Sequence, residues 1–135
     1  MATPFHLHIM TPEREFFDGN AEGVIVTVPD GELCVMAGHM PLLTPLNIGI
    51  IRINLGGEWK HAFISDGFME VSHKETIIIT QACEWPEDID AARAEEVKRR
   101  AAEKLRQQVS TREYVMNKAA LARAMARLRV KGSIN

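Results

Sequence analysis

The sequence has few cysteines and no long apolar run, and it lacks a recognisable leader. Its two cysteines, Cys34 and Cys83, form no CxxC pair and no disulfide pattern, which indicates a reducing compartment. No apolar run approaches the roughly 20 residues that a membrane-spanning helix needs. The first residues have neither the basic start and apolar run of a signal peptide nor the composition of a transit sequence. We therefore expect a protein made on the cytoplasmic side without a cleaved leader.

Catalytic signatures are also missing. The chain contains no P-loop GxxxxGK[ST], no GxGxxG and no GxSxG. Cys34 lacks a neighbouring base and lies in an apolar run, so we expect a buried thiol and not a nucleophile. His6 and His8 lie on one strand face, but no acidic ligand stands out beside them, so we interpret the pair as an exposed strand edge and predict no metal. A small metal-dependent β-barrel enzyme using these two histidines is the alternative.

The chain does show an abrupt change of charge near residue 85. Residues 1–84 carry 4 Lys/Arg against 11 Asp/Glu, a balance of −7, whereas residues 85–135 carry 12 against 7, a balance of +5. The near-neutral total of −2 thus conceals an acidic body and a basic, alanine-rich arm. Such a break indicates two modules with different partners, which we predict as a β-domain at residues 1–85 and a helical hairpin at residues 86–135.

The first module has the pattern of short strands separated by turns. Phe5, Leu7 and Ile9 alternate with polar residues, which is the period of a half-buried strand. Gly56-Gly57 lies between two such segments and predicts a hairpin turn. Eight or more short strands, with turn signals about every 8–12 residues, indicate a compact sandwich or barrel.

The second module has the period of two helices. Asp88 is predicted to cap the first helix, and Ser110-x-x-Glu113 is a capping box for the second. The short connection, Gln108–Thr111, makes the helices antiparallel, as an αα-hairpin. The facing stripes are predicted to be Ala94, Val97, Ala101 and Leu105 on the first helix, and Val115, Ala119, Ala122, Ala126 and Val130 on the second.

These stripes consist mainly of small residues, so the contact between the helices buries little apolar area. The five alanines contribute at most about 4 kcal/mol, at roughly 0.8 kcal/mol per buried methyl group. A ligand at a thousand times its dissociation constant supplies about as much. We therefore predict a hairpin that a ligand or partner can switch, and a static stabilising hairpin is the alternative.

The basic residues of the arm form two kinds of cluster. Lys98-Arg99-Arg100 has glutamates one turn away, which predicts a solvated ion-pair face. Arg123 and Arg127 lie one turn apart, and no acidic residue follows Glu113, so this pair can bind phosphates or an acidic protein surface. Nucleic acid is disfavoured, because the acidic body would repel it and aromatic residues do not interleave with the basic ones.

Four segments, in order along the chain, carry the motifs of one known family: residues 30–33 with 38–43, residues 66–71, residues 87–94 and residues 121–128. They resemble the epsilon subunit of the F-type ATP synthase, which is called delta in mitochondria. The match runs from about residue 3 to residue 131. Cys34 stands where the family's GELG has its last glycine, Asp66 replaces the first glycine of GGFxEV, and Trp85-Pro86 is an unusual lead into the hairpin.

The resemblance implies a ten-stranded β-sandwich followed by a two-helix domain, in a rotor subunit without an active site. The sandwich would bind the gamma shaft through an apolar strand surface. The hairpin would fold against the sandwich or extend toward the catalytic alpha and beta subunits, where it would restrain ATP hydrolysis. The subunit would lie at the cytoplasmic face of a bacterial inner membrane, reaching the membrane only through the complex. The residues facing the ring of c subunits would be Glu32, His39, Met40, Pro41 and Leu42.

Some bacterial members of that family bind ATP in the folded hairpin through an I/L-D-x-x-R-A motif. Residues 89–94 match this motif letter for letter. ATP would then be a regulatory ligand, with Asp90 accepting from adenine or ribose and the arginines neutralising phosphates, and no cofactor would be required. A free-standing nucleotide-sensing protein is the alternative. The implied ATP-binding residues are Glu84, Ile89, Asp90, Arg93, Ala94, Arg123 and Arg127.

Overall fold

The computed structural model describes residues 3–107 and 110–132. It divides the chain into two compact units, with the boundary between Glu84 and Trp85. Within the described residues, the first unit contains ten strands, which are β1 (Phe5–Met10), β2 (Glu15–Ala21), β3 (Gly23–Val28), β4 (Gly31–Val35), β5 (Leu42–Leu46), β6 (Gly49–Leu55), β7 (Glu58–Ile64), β8 (Gly67–Val71), β9 (Thr76–Thr80) and β10 (Cys83–Glu84).

The strands form two five-stranded sheets. The first sheet has the order β2-β1-β9-β8-β5, and the second has the order β10-β7-β6-β3-β4. The strands pair antiparallel except for β1 and β9, which are parallel. Side chains that alternate inward, such as Leu7, Val26, Ile53 and Ile78, have no exposed surface. The predicted β-sandwich of about ten short strands is confirmed.

One glycine pair and one single glycine explain how neighbouring strands connect and approach. Gly56 and Gly57 have φ angles of +64° and +91°, and they join β6 to β7 as the sequence predicts. Gly67 has a different role, because a Cβ atom there would lie 2.0 Å from the carbonyl oxygen of Ile79. Strands β8 and β9 therefore approach each other at a point where a side chain does not fit.

The second unit begins with a 3₁₀ turn (Pro86–Asp88), followed by α1 (Ala91–Arg106) and α2 (Thr111–Gly132). The prediction that Asp88 caps the first helix is wrong, because the backbone of Ile89 is extended and ends the 3₁₀ turn. Asp90 is the N-cap instead, and its carboxylate accepts the backbone N–H of Arg93 at 3.1 Å.

The second helix starts where the capping box predicts. Ser110 Oγ accepts the backbone N–H of Glu113 at 3.3 Å. Gln108 and Val109, which belong to the predicted connection, lie outside the described residues. Lys131 Nζ donates to the carbonyl oxygen of Pro86 at 3.0 Å, so the last turn of α2 lies beside the start of the unit. The helices are therefore antiparallel.

The buried face of α1 agrees with the prediction, but that of α2 is different. Val115 and Ala122 are exposed, whereas Ala124, Ala126 and Val130 are buried. Alanines occur all round this part of α2, so the sequence period does not determine the rotation of the helix about its axis. In the described residues, neither helix is long and apolar enough to cross a membrane.

Candidate functional site

The apolar positions of the predicted nucleotide motif belong to the packed part of the helical unit. Ile89 and Ala94 are each 4% exposed, so they fix the start of α1 and offer little surface to a ligand. Asp90 is exposed, but one of its carboxylate oxygens already caps the helix through the Arg93 N–H. The first turn of α1 therefore has a structural explanation that does not need a nucleotide.

The three predicted arginines lie at one end of the hairpin. Arg93 is exposed on the first turn of α1, while Arg123 and Arg127 are half-buried and one turn apart on α2. Because the Lys131 contact fixes the last turn of α2 beside Pro86, the arginines of α2 run alongside the start of α1. Three guanidinium groups at one end of a helix pair can neutralise the charge of a triphosphate.

Glu84, the remaining predicted nucleotide ligand, belongs to the other unit. It is the last residue of β10, opposite Phe63 of β7, and it is half-buried. Its role in a nucleotide site stays a prediction.

The two arginines of the other basic cluster form ion pairs within α1, as the sequence predicts. Glu96 accepts from Arg99 at 2.7 Å and from Arg100 at 3.1 Å. The hydrogen bond from Arg99 is the main reason why the pKa of Glu96 lies below its usual value and that of Arg99 lies above it. Since both arginines already share an acidic partner, this face is a poor phosphate site.

A second candidate site is the loop between β4 and β5, which holds most of the residues predicted to face the c ring. Its tip is stabilised by the N–H of His39, which donates to Met36 O at 3.2 Å, and Gly38 has a φ of +81°. Met40 is 77% exposed and Leu43 is 69% exposed. Pro41 is also exposed, and Leu42, half-buried, begins β5. The loop and the start of β5 therefore present large apolar side chains to the outside.

Glu32, the fifth predicted c-ring contact, lies on the edge strand β4 and not in the loop. It is exposed and forms an ion pair with Arg52 of β6.

The outer face of the first sheet is apolar along β5, β8 and β9. Pro45, Phe68 and Ile79 are register partners across these three strands, and Phe68 and Ile79 are 59% and 56% exposed. A groove of about 290 Å³ runs along these side chains. The continuous apolar run of residues 77–79 is the sequence signal for such a face, because strict alternation would have made one face polar.

The interpretation of His6 and His8 as a strand edge is wrong. Strand β1 lies between β2 and β9, and the two imidazoles have acidic partners on its neighbours. His6 Nε2 lies 2.5 Å from Asp18 Oδ1, and His6 Nδ1 lies 3.2 Å from Glu75 Oε1. The Asp18 bond is the main reason why the pKa of His6 is raised, and it lowers the pKa of Asp18. Strand pairing creates these contacts, so local sequence did not show them.

The prediction that Cys34 is a buried thiol is wrong. Cys34 is exposed, because it lies on edge strand β4 on the side opposite the buried Val35. Cys83 is 3% exposed, and its burial raises the pKa of the thiol strongly. An apolar run in the sequence does not reveal which of its members face outward on an edge strand.

Comparison with known proteins decides the family. The pattern of the ATP synthase delta/epsilon chain beta-sandwich domain matches residues 4–86, and that of the long alpha-helix domain matches residues 87–132. The chain belongs to the ATP synthase delta/epsilon family. Similar proteins named ATP synthase epsilon chain occur in Caldanaerobacter subterraneus (47% identity, covering 96% of this chain and 95% of the relative) and Ruminiclostridium cellulolyticum (45% identity, 95% of each).

Solved structures share the fold of this family member. One is a chain of the Euglena gracilis mitochondrial ATP synthase OSCP/F1/c-ring structure, with a TM-score of 0.82 and 20% identity over 100% of this chain and 84% of that one. Another is a chain of the central stalk/c-ring structure of the Tetrahymena thermophila mitochondrial ATP synthase, with a TM-score of 0.65 and 15% identity over 96% and 98% of the two chains.

Proposed function

We propose that this epsilon-type chain is the central-stalk subunit of an F-type ATP synthase, a non-catalytic rotor component between the c ring and the catalytic head. Family membership supports this assignment. The observation that carries it is the large exposed apolar surface of the sandwich, which includes Met40, Leu43, Phe68 and Ile79. Side chains of this size are costly to leave in water, so contiguous ones mark surfaces that a partner covers.

The sandwich offers two surfaces of different shape, and each suits one partner. The groove along Pro45, Phe68 and Ile79 is a strand face, and an elongated shaft such as gamma would lie along it. The loop from His39 to Leu42 projects from the end of the sandwich, and its exposed Met40 would reach the loops of the c ring. Through these contacts the subunit would couple the c ring, and hence proton transport, to ATP synthesis.

The hairpin would regulate the enzyme through ATP. The four buried alanines of α1 and α2 contribute at most about 3 kcal/mol to helix packing, taking roughly 0.8 kcal/mol per methyl group. ATP at a thousand times its dissociation constant would add about 4 kcal/mol to the folded hairpin, which is enough to decide its state. Without ATP, the basic α2 would extend toward acidic surfaces of the catalytic subunits and restrain hydrolysis.

Co-purification from membranes that contain the ATP synthase tests the rotor assignment. The tagged chain should recover gamma and the c ring. Phe68→Asp should reduce recovery of gamma, and Met40→Asp should reduce recovery of the c ring, because each places a charge at an apolar contact. Lys60→Glu, an exposed change on β7 of the other sheet, is the control and should have no effect. Recovery of neither partner by the unaltered chain would refute the assignment and favour a free-standing nucleotide sensor.

Calorimetric titration of the full chain with ATP tests the regulatory part separately. We expect saturable binding of one ATP, weakened at least tenfold by Arg123→Ala, since a charge-assisted phosphate contact is typically worth more than 1.4 kcal/mol. Arg129→Ala changes an exposed arginine of the same helix and should leave binding intact. Asp90→Asn keeps an N-cap acceptor, so weaker ATP binding in this variant would reflect loss of the ligand contact and not of the helix start.

A further inference from the structure

The outer face of the first sheet carries a cluster of imidazoles and carboxylates that the proposed function does not use. His6 and His8 are two residues apart on β1, so both point to the same face of the sheet. Leu7 and Ile9, which alternate with them, have no exposed surface and fix the strand in the core. The positions of the two imidazoles are therefore set by an interior strand of the sheet and not by a loop.

An irregularity in the strand pairing brings two carboxylates to the same face. Ile9 pairs with Phe17, but the next residue, Met10, pairs with Glu15, so β2 has one extra residue at this point. In a regular strand Glu15 and Asp18 would point to opposite faces, because they are three residues apart. Because of the extra residue, Glu15 points to the same face of the sheet as Asp18. Both carboxylates therefore face outward beside His8. Bulges of this kind commonly re-aim a side chain at a functional position.

The donor atoms are close enough to share one ion. Each of three residues offers one ligand atom, and these atoms lie within 4.8 Å of one another; the residues are His8, Glu15 and Asp18. His8 Nε2 is 3.2 Å from Glu15 Oε1. Zinc binds imidazole nitrogen and carboxylate oxygen at about 2.0–2.2 Å, which places tetrahedral ligands about 3.4 Å apart. The distances that remain to be closed are those between Asp18 and the other two donors. The side chains of Asp18 and Glu15 are 48% and 64% exposed, so changes of rotamer can close these distances without movement of the backbone.

His6 is not one of the three donors, but it orients one of them, Asp18. Its Nε2 holds Asp18 at 2.5 Å, and its Nδ1 contacts Glu75 at 3.2 Å, so the Asp18 carboxylate is oriented by an imidazole that is itself anchored. Hydrogen bonds of this kind to a ligating carboxylate are typical of metal sites.

We propose that His8, Glu15 and Asp18 bind a divalent transition-metal ion, with Zn²⁺ the best match and His6 positioning Asp18. One imidazole and two carboxylates form a borderline-hard ligand set, which suits Zn²⁺ better than the soft ion Cu⁺. Two carboxylates balance the charge of the ion, and three protein ligands leave a fourth position for water. The ion would join β1 to β2 on the outer face of the sheet. This inference does not depend on the proposed function.

Calorimetric titration of the full chain with ZnCl₂, in a buffer that does not chelate zinc, tests the site. We expect one saturable site per chain, and a loss of at least tenfold in affinity in His8→Ala and in Asp18→Asn. His61→Ala is the matched control, because His61 lies on β7 of the other sheet, and it should bind zinc like the unaltered chain. X-ray absorption of the zinc-loaded chain should show only nitrogen and oxygen ligands at about 2.0–2.2 Å.

Two results would overturn the proposal. One is the absence of saturable zinc binding by the unaltered chain, and the other is equal affinity in the unaltered chain and in His8→Ala. Sulfur in the absorption spectrum would also count against it, because it would assign the zinc to a thiol. If His8→Ala does not fold, Glu15→Gln tests the same site through an exposed side chain, with folding checked by circular dichroism.

Discussion

Gly67 illustrates how a single residue is determined by the backbone around it. A Cβ atom at this position would lie 2.0 Å from Ile79 O and 2.8 Å from Thr80 Cα. Both atoms belong to the backbone of β9, which is held by the β8–β9 ladder and cannot move aside without distorting it. The glycine that follows Asp66 is therefore required by close strand approach, whatever partner the sheet binds.

We predict that Gly67→Ala destabilises the sandwich by about 1–3 kcal/mol, the usual cost of overpacking a closed site. Urea unfolding followed by tryptophan fluorescence measures this loss. Gly132→Ala is the control, because nothing lies within 4 Å of a Cβ atom there, and its stability should equal that of the unaltered chain. Equal stability of Gly67→Ala and the unaltered chain would show that the backbone of β9 can move aside for the added methyl group.

The two thiols should react at very different rates. Burial raises the pKa of Cys83, so almost none of it is thiolate near neutral pH, whereas Cys34 is exposed. With a disulfide reagent at pH 8 we expect one thiol to react rapidly and the other only on unfolding. Cys34→Ser should remove the fast phase, and Cys83→Ser should leave it unchanged. A fast phase that survives in Cys34→Ser would contradict the assignment.

At the scale of single elements, the sequence predicts where strands and helices lie along the chain. It predicts poorly which elements are neighbours in the fold. Alternation identified β1, the glycine pair identified the β6–β7 turn, and the capping box identified the start of α2. The strand order was not predictable locally, because β1 pairs with β9 some 70 residues later. The interior position of β1, the carboxylates beside its histidines and the exposure of Cys34 all follow from that order.

The candidate sites were also predictable only where their residues are close in the sequence. The arginines of α2 and the exposed loop near Met40 were visible in the sequence as charge and motif. The apolar row of Pro45, Phe68 and Ile79 was not predicted by residue, because its members come from three strands whose register only the fold fixes. The extra residue in β2, which turns Glu15 and Asp18 to one face, leaves no signal in the composition of the strand.

The ion pairs of α1 predict a specific dependence on pH. Hydrogen bonds from Arg99 and then Arg100 hold the pKa of Glu96 below its usual value of 4.5. Because the folded pKa is lower than the unfolded one, the contribution to stability is present above the unfolded value and is lost as pH falls through the folded value. Helix content at 222 nm should therefore decrease over that acidic range, and Glu96→Gln should reduce the decrease.

Glu95→Gln is the matched control for this titration. Glu95 is exposed and lies beside Glu96 in sequence, but α1 directs Arg99 and Arg100 to Glu96. The acid-dependent loss of helix should persist in Glu95→Gln. If both variants behave alike, the effect reflects total charge and not the pairs.

At the scale of the whole molecule, the chain consists of an acidic sheet unit, which ends at Glu84, and a basic helical unit, which begins at Trp85. The sandwich closes with β10, which pairs with Ile64 and Phe63 of β7. Its core residues come from strands of residues 5–84. The sheet unit thus contains its own hydrophobic core, which is the property that lets a domain fold alone.

We predict that a chain ending after Glu87 folds and still binds the rotor partners. Cooperative urea unfolding and co-purification with gamma and the c ring are the measurements. ATP hydrolysis by the reconstituted enzyme should rise, because the helices proposed to restrain it are missing. A chain ending after Gln81 is the contrast, since it also lacks β10 and the buried Cys83 and should lose stability.

The two truncations separate folding from regulation. If the chain ending after Glu87 unfolds like the one ending after Gln81, the sandwich depends on the helices, and the division into independent modules is wrong. If it folds and binds gamma but hydrolysis does not rise, the modules are independent and the inhibitory role of the hairpin fails. Both folding and increased hydrolysis are required, because a hairpin that only inhibits the enzyme must not be needed for the sandwich to fold.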